Sequence, residues 1–500
     1  MRKSIIIIGA GIGGLSAGCY GQMNGYDTHI FELHDKPGGL CTSWKRKDYI
    51  IDGCVQWLVG TKPGGQFNAM WNELGALEGK EILDHEEFMR FEDRNGRVFR
   101  MFTDADRLRS HMMELAPGDA APIDDLIKGV KALSGWEMPL PKPREISGLL
   151  EGAKALASIR PVIRTFWKWG KVTLGGFAGR LTDPLLSEVF SSIFGDPEFP
   201  ILAMMFMLAW MNDKNSGYPL GGSLEFARGI EKRYLELGGG ISYKSRVDRI
   251  LVERDRAVGV RLSDGSEHRA DAVISAADGH AAIFDMLGGM YIDKKLRRRY
   301  DGHPIFKPIV QVSVGVAADL CGGPPIVCFP PVSPVEVAGK KRELMAVLNY
   351  SFDPTLAPAG KTVLVADFDS DYGYWERLYE NRDEYEAEKQ KIADVVAAEL
   401  ENEFPAIRGN IEVVDVATPI TFNRYTNAWK GSYEGWMLTT KNVLSDSAGL
   451  KRTLPGLENF YMAGQWVMPS GGLPPAAQSG RDVIQILCYE DGRAFETSLR

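Results

Sequence analysis

The chain is poor in several features that define protein classes. Cysteine occurs six times in 500 residues, as Cys19, Cys41, Cys54, Cys321, Cys328 and Cys488, with no C-x-x-C pair. Neither a disulfide framework nor a zinc ribbon is expected, and free thiols fit a reducing cytoplasm. The seven histidines do not gather with cysteines or carboxylates at ligand spacing, so no metal site is expected. Positive charge is in deficit. With 58 Lys and Arg against 66 Asp and Glu, the net charge is −8. That excludes a nucleic-acid binder whose affinity comes from a global positive field. No apolar run reaches the roughly 18 residues a membrane span needs; the nearest, Phe199 to Met211, contains Pro200. No Ser/His/Asp order and no internal repeat is evident.

Glycine is abundant: 55 of 500 residues, against a usual share of about 7%. There is no G-X-Y period, and hydrophobic (44%) and charged (25%) contents are ordinary for a globular protein. The glycines therefore serve tight backbone geometry inside a fold whose length suggests roughly three domains' worth of chain.

The N-terminus shows where that geometry is needed. Ser4 to Ile8 is a β-branched run suited to a strand buried on both faces. Gly9-Ala10-Gly11-Ile12-Gly13-Gly14 follows at once, and Leu15 to Asn24 reads as a helix. In this strand–helix context G-x-G-x-x-G is a dinucleotide fingerprint. Gly9 permits the turn, Gly11 lets backbone approach a pyrophosphate, and Gly14 lets the helix lie close on the strand. The helix N-terminus offers free N–H groups to the phosphates. A second strand, Asp27 to Phe31, ends at Glu32, about 20 residues on, where an acid can accept hydrogen bonds from a ribose. Arg2 and Lys3 before an apolar run, with Ser16 to Cys19 beyond, also imitate a signal sequence. Cleavage there would destroy the nucleotide unit, so the signal reading is set aside.

Glu32-Leu33, then Gly38-Gly39-Leu40 and Asp52-Gly53, resemble the opening of the amine oxidase and phytoene desaturase superfamily of flavoproteins. Most members carry Arg where Leu40 stands, so a positive charge usual near the flavin is absent. Tyr218 to Leu224 with Gly221-Gly222, a helix to Leu237, strands around Val247 to Val252 and Ala257 to Leu262, and a buried strand Ala270 to Ala277 resemble the family's middle flavin segment. There the residue at Val247 holds the adenine through its backbone. Asn459 to Gln465 and Pro469 to Arg481 resemble the C-terminal flavin motif of the phytoene desaturase, carotenoid isomerase and retinol saturase group, as does Thr418-Pro419 to Trp436. Pro474 and Pro475 suit the first turn of a helix running to about Tyr489. Its N-terminus would face the pyrimidine edge of the flavin and stabilise negative charge there.

The resemblance implies non-covalent FAD, held by Gly9, Gly11, Ile12, Gly13, Gly14, Glu32, Leu33, Gly38, Gly39, Leu40, Val247, Gly464, Gln465, Gly471, Gly472 and Leu473. Gly221-Gly222 is also expected where backbone meets the cofactor. The implied fold is α/β: a discontinuous Rossmann-like FAD domain (1–65, 215–300, 410–500) and an inserted α+β substrate domain (66–214, 301–409). No second dinucleotide fingerprint appears, so electrons would pass to a quinone, oxygen or another acceptor.

The first insertion is rich in aromatics and methionine, from Trp136 through Phe166, Trp167, Trp169, Phe177, Phe190, Phe194 and Phe199 to Met211. It reads as a helical core, as an apolar substrate tunnel, or as a patch meeting a membrane. Lys154, Arg160, Arg164, Lys168 and Lys171 flank it; they form a solvated face or a basic surface for a bilayer at the inner side of the membrane. In the second insertion, Lys307 to Val316 reads as a strand over the flavin, and Glu376 to Glu403 as one exterior amphipathic helix. Asp52 reads as structural.

No acid or base stands out. Tyr425, Tyr433 and Trp436 are candidates for lining the flavin, and Lys307 for a water-holding lysine. Three functions follow: desaturation or saturation of a long apolar polyene or isoprenoid; the same fold acting on an amine or isomerising a polyene; or a flavin-free binder of prenylated proteins, like Rab GDP-dissociation inhibitors.

Overall fold

A computed structural model describes residues 2–442, 449–469 and 471–498; Ser470, inside the C-terminal motif, lies outside the described residues. Ser4–Ile8 is the middle strand of a five-stranded sheet in the order Phe460–Met462, Ala272–Ser275, Ser4–Ile8, Asp27–Phe31, Gly240–Ser242. Every pairing in it is parallel. Both faces are covered, which is why the strand is apolar without alternation. Ile5 and Ile7 pack with Tyr20, Phe226, Ile230 and Ile484 from the helices Ile12–Met23, Gly222–Glu236 and Leu473–Glu490. Ile6 and Ile8 pack with Ile250, Val260 and Leu262 of the antiparallel strands Val247–Glu253, Arg256–Leu262 and Glu267–Arg269. Asp264-Gly265 makes the expected turn in this meander, with Ser266 N donating to the Asp264 carboxylate.

A second, seven-stranded sheet is mostly antiparallel. Its order is Ile411–Ala417, Ile309–Val316, Thr362–Asp369, Met345–Asn349, Ile326–Phe329, Glu87–Glu92, Val98–Phe102. Alternation divides its faces. Val310, Val312, Leu364 and Ala366 pack on Ile392, Val396 and Leu400 of the helix Arg382–Glu403. The opposite face carries Gln311, Ser313, Gly315, Val365 and Asp367 and turns toward the nucleotide-type layer. Gln311 Nε2 donates to the Asp52 carbonyl at 2.9 Å, and a Cβ on Gly315 would lie 2.7 Å from the Tyr49 ring. Ile411–Ala417, at the head of the 410–500 stretch, belongs to this sheet and not to the parallel one.

The single helix read over 376–403 is two helices, Tyr372–Tyr379 and Arg382–Glu403. Asn381 has extended backbone and its side chain accepts from Asp383 N, so it caps a new helix instead of continuing the old one. Nor is that helix wholly exterior, since Tyr385, Ile392, Val396 and Leu400 are buried.

Residues 105–212 form a helical layer in which Trp169, Phe177, Phe190, Met204, Met205 and Met207 are an ordinary buried core. Trp167 is 80% exposed, and Leu150 and Phe194 also reach the surface. Among the described residues no helix is long and apolar enough to cross a membrane.

Candidate functional site

The fingerprint loop forms because its glycines sit where side chains cannot. Gly9 has φ +95° and its N–H donates to the Phe31 carbonyl at 2.8 Å. A Cβ on Gly14 would overlap the Gly9 carbonyl oxygen, so the helix Ile12–Met23 closes directly on the strand end. Gly38-Gly39 returns to the same loop. Gly38 N donates to Ala10 O at 2.9 Å and pairs with Gly11 as an isolated bridge. Its φ of +106° and the nearby Cys41 carbonyl leave no room for a side chain. Leu40, in the place of the usual Arg, is half-buried beside this turn, and Leu33 is half-buried beyond Glu32.

Glu32 is buried at the end of its strand. Its carboxylate accepts from Ala10 N at 2.6 Å and from His34 N at 2.7 Å. Burial raises its pKa and these backbone donors oppose the rise. The acid thus grips the fingerprint loop and keeps lone pairs for a further donor. Ser245 N donates to Glu32 O at 2.8 Å, which brings Val247, the buried first residue of the following strand, to the same edge.

The C-terminal motif meets the N-terminal one backbone to backbone. Gly464 (φ +94°) donates from its N–H to Ser479 Oγ at 2.6 Å. A Cβ on Gly13 would lie 3.0 Å from Gly464 N, and one on Gly480 would overlap Gly13 O. The helices Ile12–Met23 and Leu473–Glu490 therefore cross in contact, tied by Ser16 Oγ donating to Ala477 O at 2.6 Å. Gly472 caps the second helix at φ +83°, with Leu473 half-buried at its start, and Gln465 lies against Gly435. Two helix N-termini with free N–H groups thus arise from loops held together at Gly13 and Gly464.

Other sequence expectations land elsewhere. Gly222 faces protein, not a cofactor space: its Cβ would lie 2.5 Å from Asp52 Oδ2. Asp52 is structural, as read. It accepts from Ser223 N (2.6 Å), Ser223 Oγ (2.5 Å) and Ser43 Oγ (3.0 Å), fixing the start of the helix Gly222–Glu236. Trp436 does not line an open face. It is fully buried, donates to Trp466 O at 3.0 Å and packs on Tyr300 and Trp466. Tyr425 packs edge-on to His34 at 4.9 Å, beside the ribose-type acid Glu32. Tyr433 is half exposed beside Phe306, at 5.6 Å. Lys307 is exposed with Nζ 3.9 Å from Asp369.

Three acids carried no sequence signal: Asp278 is buried, and Glu434 and Asp367 are half-buried. Asp278 accepts from Ala281 N and Trp429 N, joining the middle and last segments, and burial pushes its pKa up to about 6. Glu434 lies against Gly471, and Asp367 lies on the inward face of the second sheet; burial pushes each up to about 7.

The glycine cradle fits a flavin dinucleotide. A Cβ on Gly11 or Gly472 would find its nearest neighbour 4.0 Å away, while one on Gly14 or Gly480 would strike backbone. The last two glycines close the fold; the first two leave backbone bare beside open space at a helix N-terminus. Comparison with known proteins agrees. The family model described as flavin containing amine oxidoreductase matches residues 12–485. The prolycopene isomerase of Arabidopsis thaliana is 26% identical, over 95% of this chain and 81% of that protein. The lycopene-forming phytoene desaturase of a Paracoccus species is 24% identical, over 97% of both chains. An oxidoreductase structure from Methanosarcina mazei shares the fold at a TM-score of 0.61 and 17% identity, over 96% of this chain and all of that one. A parallel sheet threaded by a strand–glycine loop–helix unit, closed by a second helix N-terminus, and matched over nearly its whole length, places the chain in the flavin containing amine oxidoreductase family, as an oxidoreductase whose cofactor is FAD.

Proposed function

We propose that the protein desaturates or saturates carbon–carbon bonds of a long apolar polyene or isoprenoid. The observation that carries this is a row of rings. Phe194, at the surface of the helical layer, meets Phe199 (5.2 Å between centroids), Phe199 meets Phe306 (6.4 Å), and Phe306 meets Tyr433 (5.6 Å). The next residue, Glu434, touches Gly471. Such a row lets an apolar chain lie along protein without stranding polar groups. The full-length likeness to a carotenoid desaturase supports the same reading. Isomerisation of a polyene, the activity in the name of the Arabidopsis relative, is the second reading.

In this reading residues 1–65, 215–300 and 410–500 hold FAD, and 66–214 with 301–409 hold substrate. The N–H groups from Gly11 to Gly14 meet the pyrophosphate, Glu32 the ribose, and the Val247 backbone the adenine. Gly464, Gln465 and Gly471 to Leu473 border the flavin ring. Bound FAD supplies a two-electron hydride acceptor or donor at N5. The protein's part is to align the reacting carbon along the aromatic row, exclude water and manage one proton. A quinone or oxygen closes the redox cycle. Access to a lipid-dissolved substrate is through the surface around Trp167, where Lys154, Arg160, Arg164, Lys168 and Lys171 are exposed and no acid lies between Glu151 and Asp183.

Anaerobic titration of the FAD-loaded protein tests the proposal. Polyenes or isoprenoids should bleach the flavin band, or reoxidise a prereduced one. Bleaching by amines and not by polyenes would sink it; isomerised product without net bleaching would select the second reading.

A further inference from the structure

Two carboxyl groups from different elements lie within charge range of Tyr433, and one of them, Glu434, lies over Gly471. Asp367 stands opposite Gln311 on the inward face of the second sheet. Its Oδ1 is buried and has no hydrogen-bond partner. Glu434 comes from the loop after Gly431. Phe306 N donates to Gly435 O at 2.9 Å and Ile305 pairs with Trp436, so this loop is pinned to the entry of the same sheet. The Glu434 side chain lies directly over Gly471: a Cβ there would be 2.5 Å from Glu434 Cβ and 3.0 Å from its carboxyl carbon. Tyr433, the last ring of the aromatic row, feels the charge of both acids.

Among the described residues neither acid makes an ion pair with a cation. Burial is the sole cause of the rise in each pKa, to about 7. The other ionisable groups nearby are Tyr433, Asp369 and Tyr350. Asp369 has its own partners in Arg342, Lys340 and Lys307. Asp52, by contrast, is a structural carboxylate that accepts from Ser223 and Ser43. An unpartnered buried acid costs stability, and a carboxyl that changes protonation near neutral pH is what general acid–base work needs.

We propose that Glu434 is the proton donor and acceptor of the reaction. This rests on the reading that a polyene reacts at FAD. In the desaturating direction, one substrate carbon gives a hydride to FAD. Glu434 carboxylate takes a proton from the adjacent carbon, and the electron pair of that C–H bond forms the new C=C bond. A quinone or oxygen then takes the two electrons from the flavin. In the saturating direction the same carboxyl returns the proton to carbon.

Infrared titration of the cofactor-free protein reads the carboxyls directly. Two protonated-carboxyl bands should disappear as pH rises through about 7, and Glu434→Gln and Asp367→Asn should each remove one. With FAD bound, Glu434→Gln should keep flavin affinity and cut anaerobic bleaching by polyene about 100-fold or more, with loss of its pH dependence. Glu434→Asp, which keeps a carboxyl, should keep the band and the pH profile. A Glu434 carboxyl that does not titrate near neutrality, or Glu434→Gln bleaching at the wild-type rate, would overturn the role of Glu434 alone. Wild-type protein that binds FAD but reacts with no polyene would overturn the substrate reading, and the role of Glu434 with it.

Discussion

A methyl group on Gly14 would fall far inside van der Waals contact with the Gly9 carbonyl oxygen. Strand and helix meet here with only a hydrogen between them. Gly14→Ala should force the loop open at a cost of about 1–3 kcal/mol, lowering the melting temperature and weakening FAD together. Thermal melts with and without FAD check this.

Gly11 is the contrasting case. Its φ of −66° and ψ of 172° suit any residue, and its Cβ position is open. Gly11→Val should leave the cofactor-free protein within about 1 kcal/mol of wild type and abolish FAD binding by occupying the pyrophosphate approach. A variant that retains full flavin absorbance would refute the cradle.

Asp278 should make stability fall as pH rises. Its pKa is about 6 folded against 3.8 as a model group, so between these values the native state binds more protons than the unfolded one. Stability is then greatest below the window and is lost through it. The loss between pH 5 and 7 is about 1 kcal/mol. Asp278→Asn should remove that share of the slope. Urea unfolding of both proteins at the two pH values measures it.

Arg452 is fully buried in an ion pair with Asp482, with Glu145 at 3.6 Å. Arg452→Met strands Asp482 without its cation and should cost about 3–5 kcal/mol, whereas Arg452→Met with Asp482→Leu should recover most of it. Denaturant midpoints of the single and double variants decide the matter.

Trp167→Glu should reduce sedimentation with anionic vesicles severalfold, and added salt should weaken wild-type binding through the flanking cations. Equal binding by both proteins would remove the membrane surface from the reading.

Local chemistry made much of the fold legible. The run Ser4–Ile8, the spacing of Gly9, Gly11 and Gly14, and Glu32 after a second strand each have a short-range physical reason, and all lie where they were expected. Pro474 and Pro475 marked the helix Leu473–Glu490 for the same reason. The break at Asn381 was missed because charge periodicity runs through it and only the cap interrupts it. Gly222 was misread because a glycine doublet does not say whether it yields to a cofactor or to the Asp52 carboxylate.

By itself, the sequence determined the class of nucleotide, the parallel core and the places where backbone is bare, because each depends on residues within a few positions of one another. Tertiary structure alone decided which rings and carboxyls meet. Glu434 and Asp367 are remote in the chain and ordinary in composition. What makes them distinctive is where distant segments place them, Glu434 over Gly471 and Asp367 on the inward face of the second sheet.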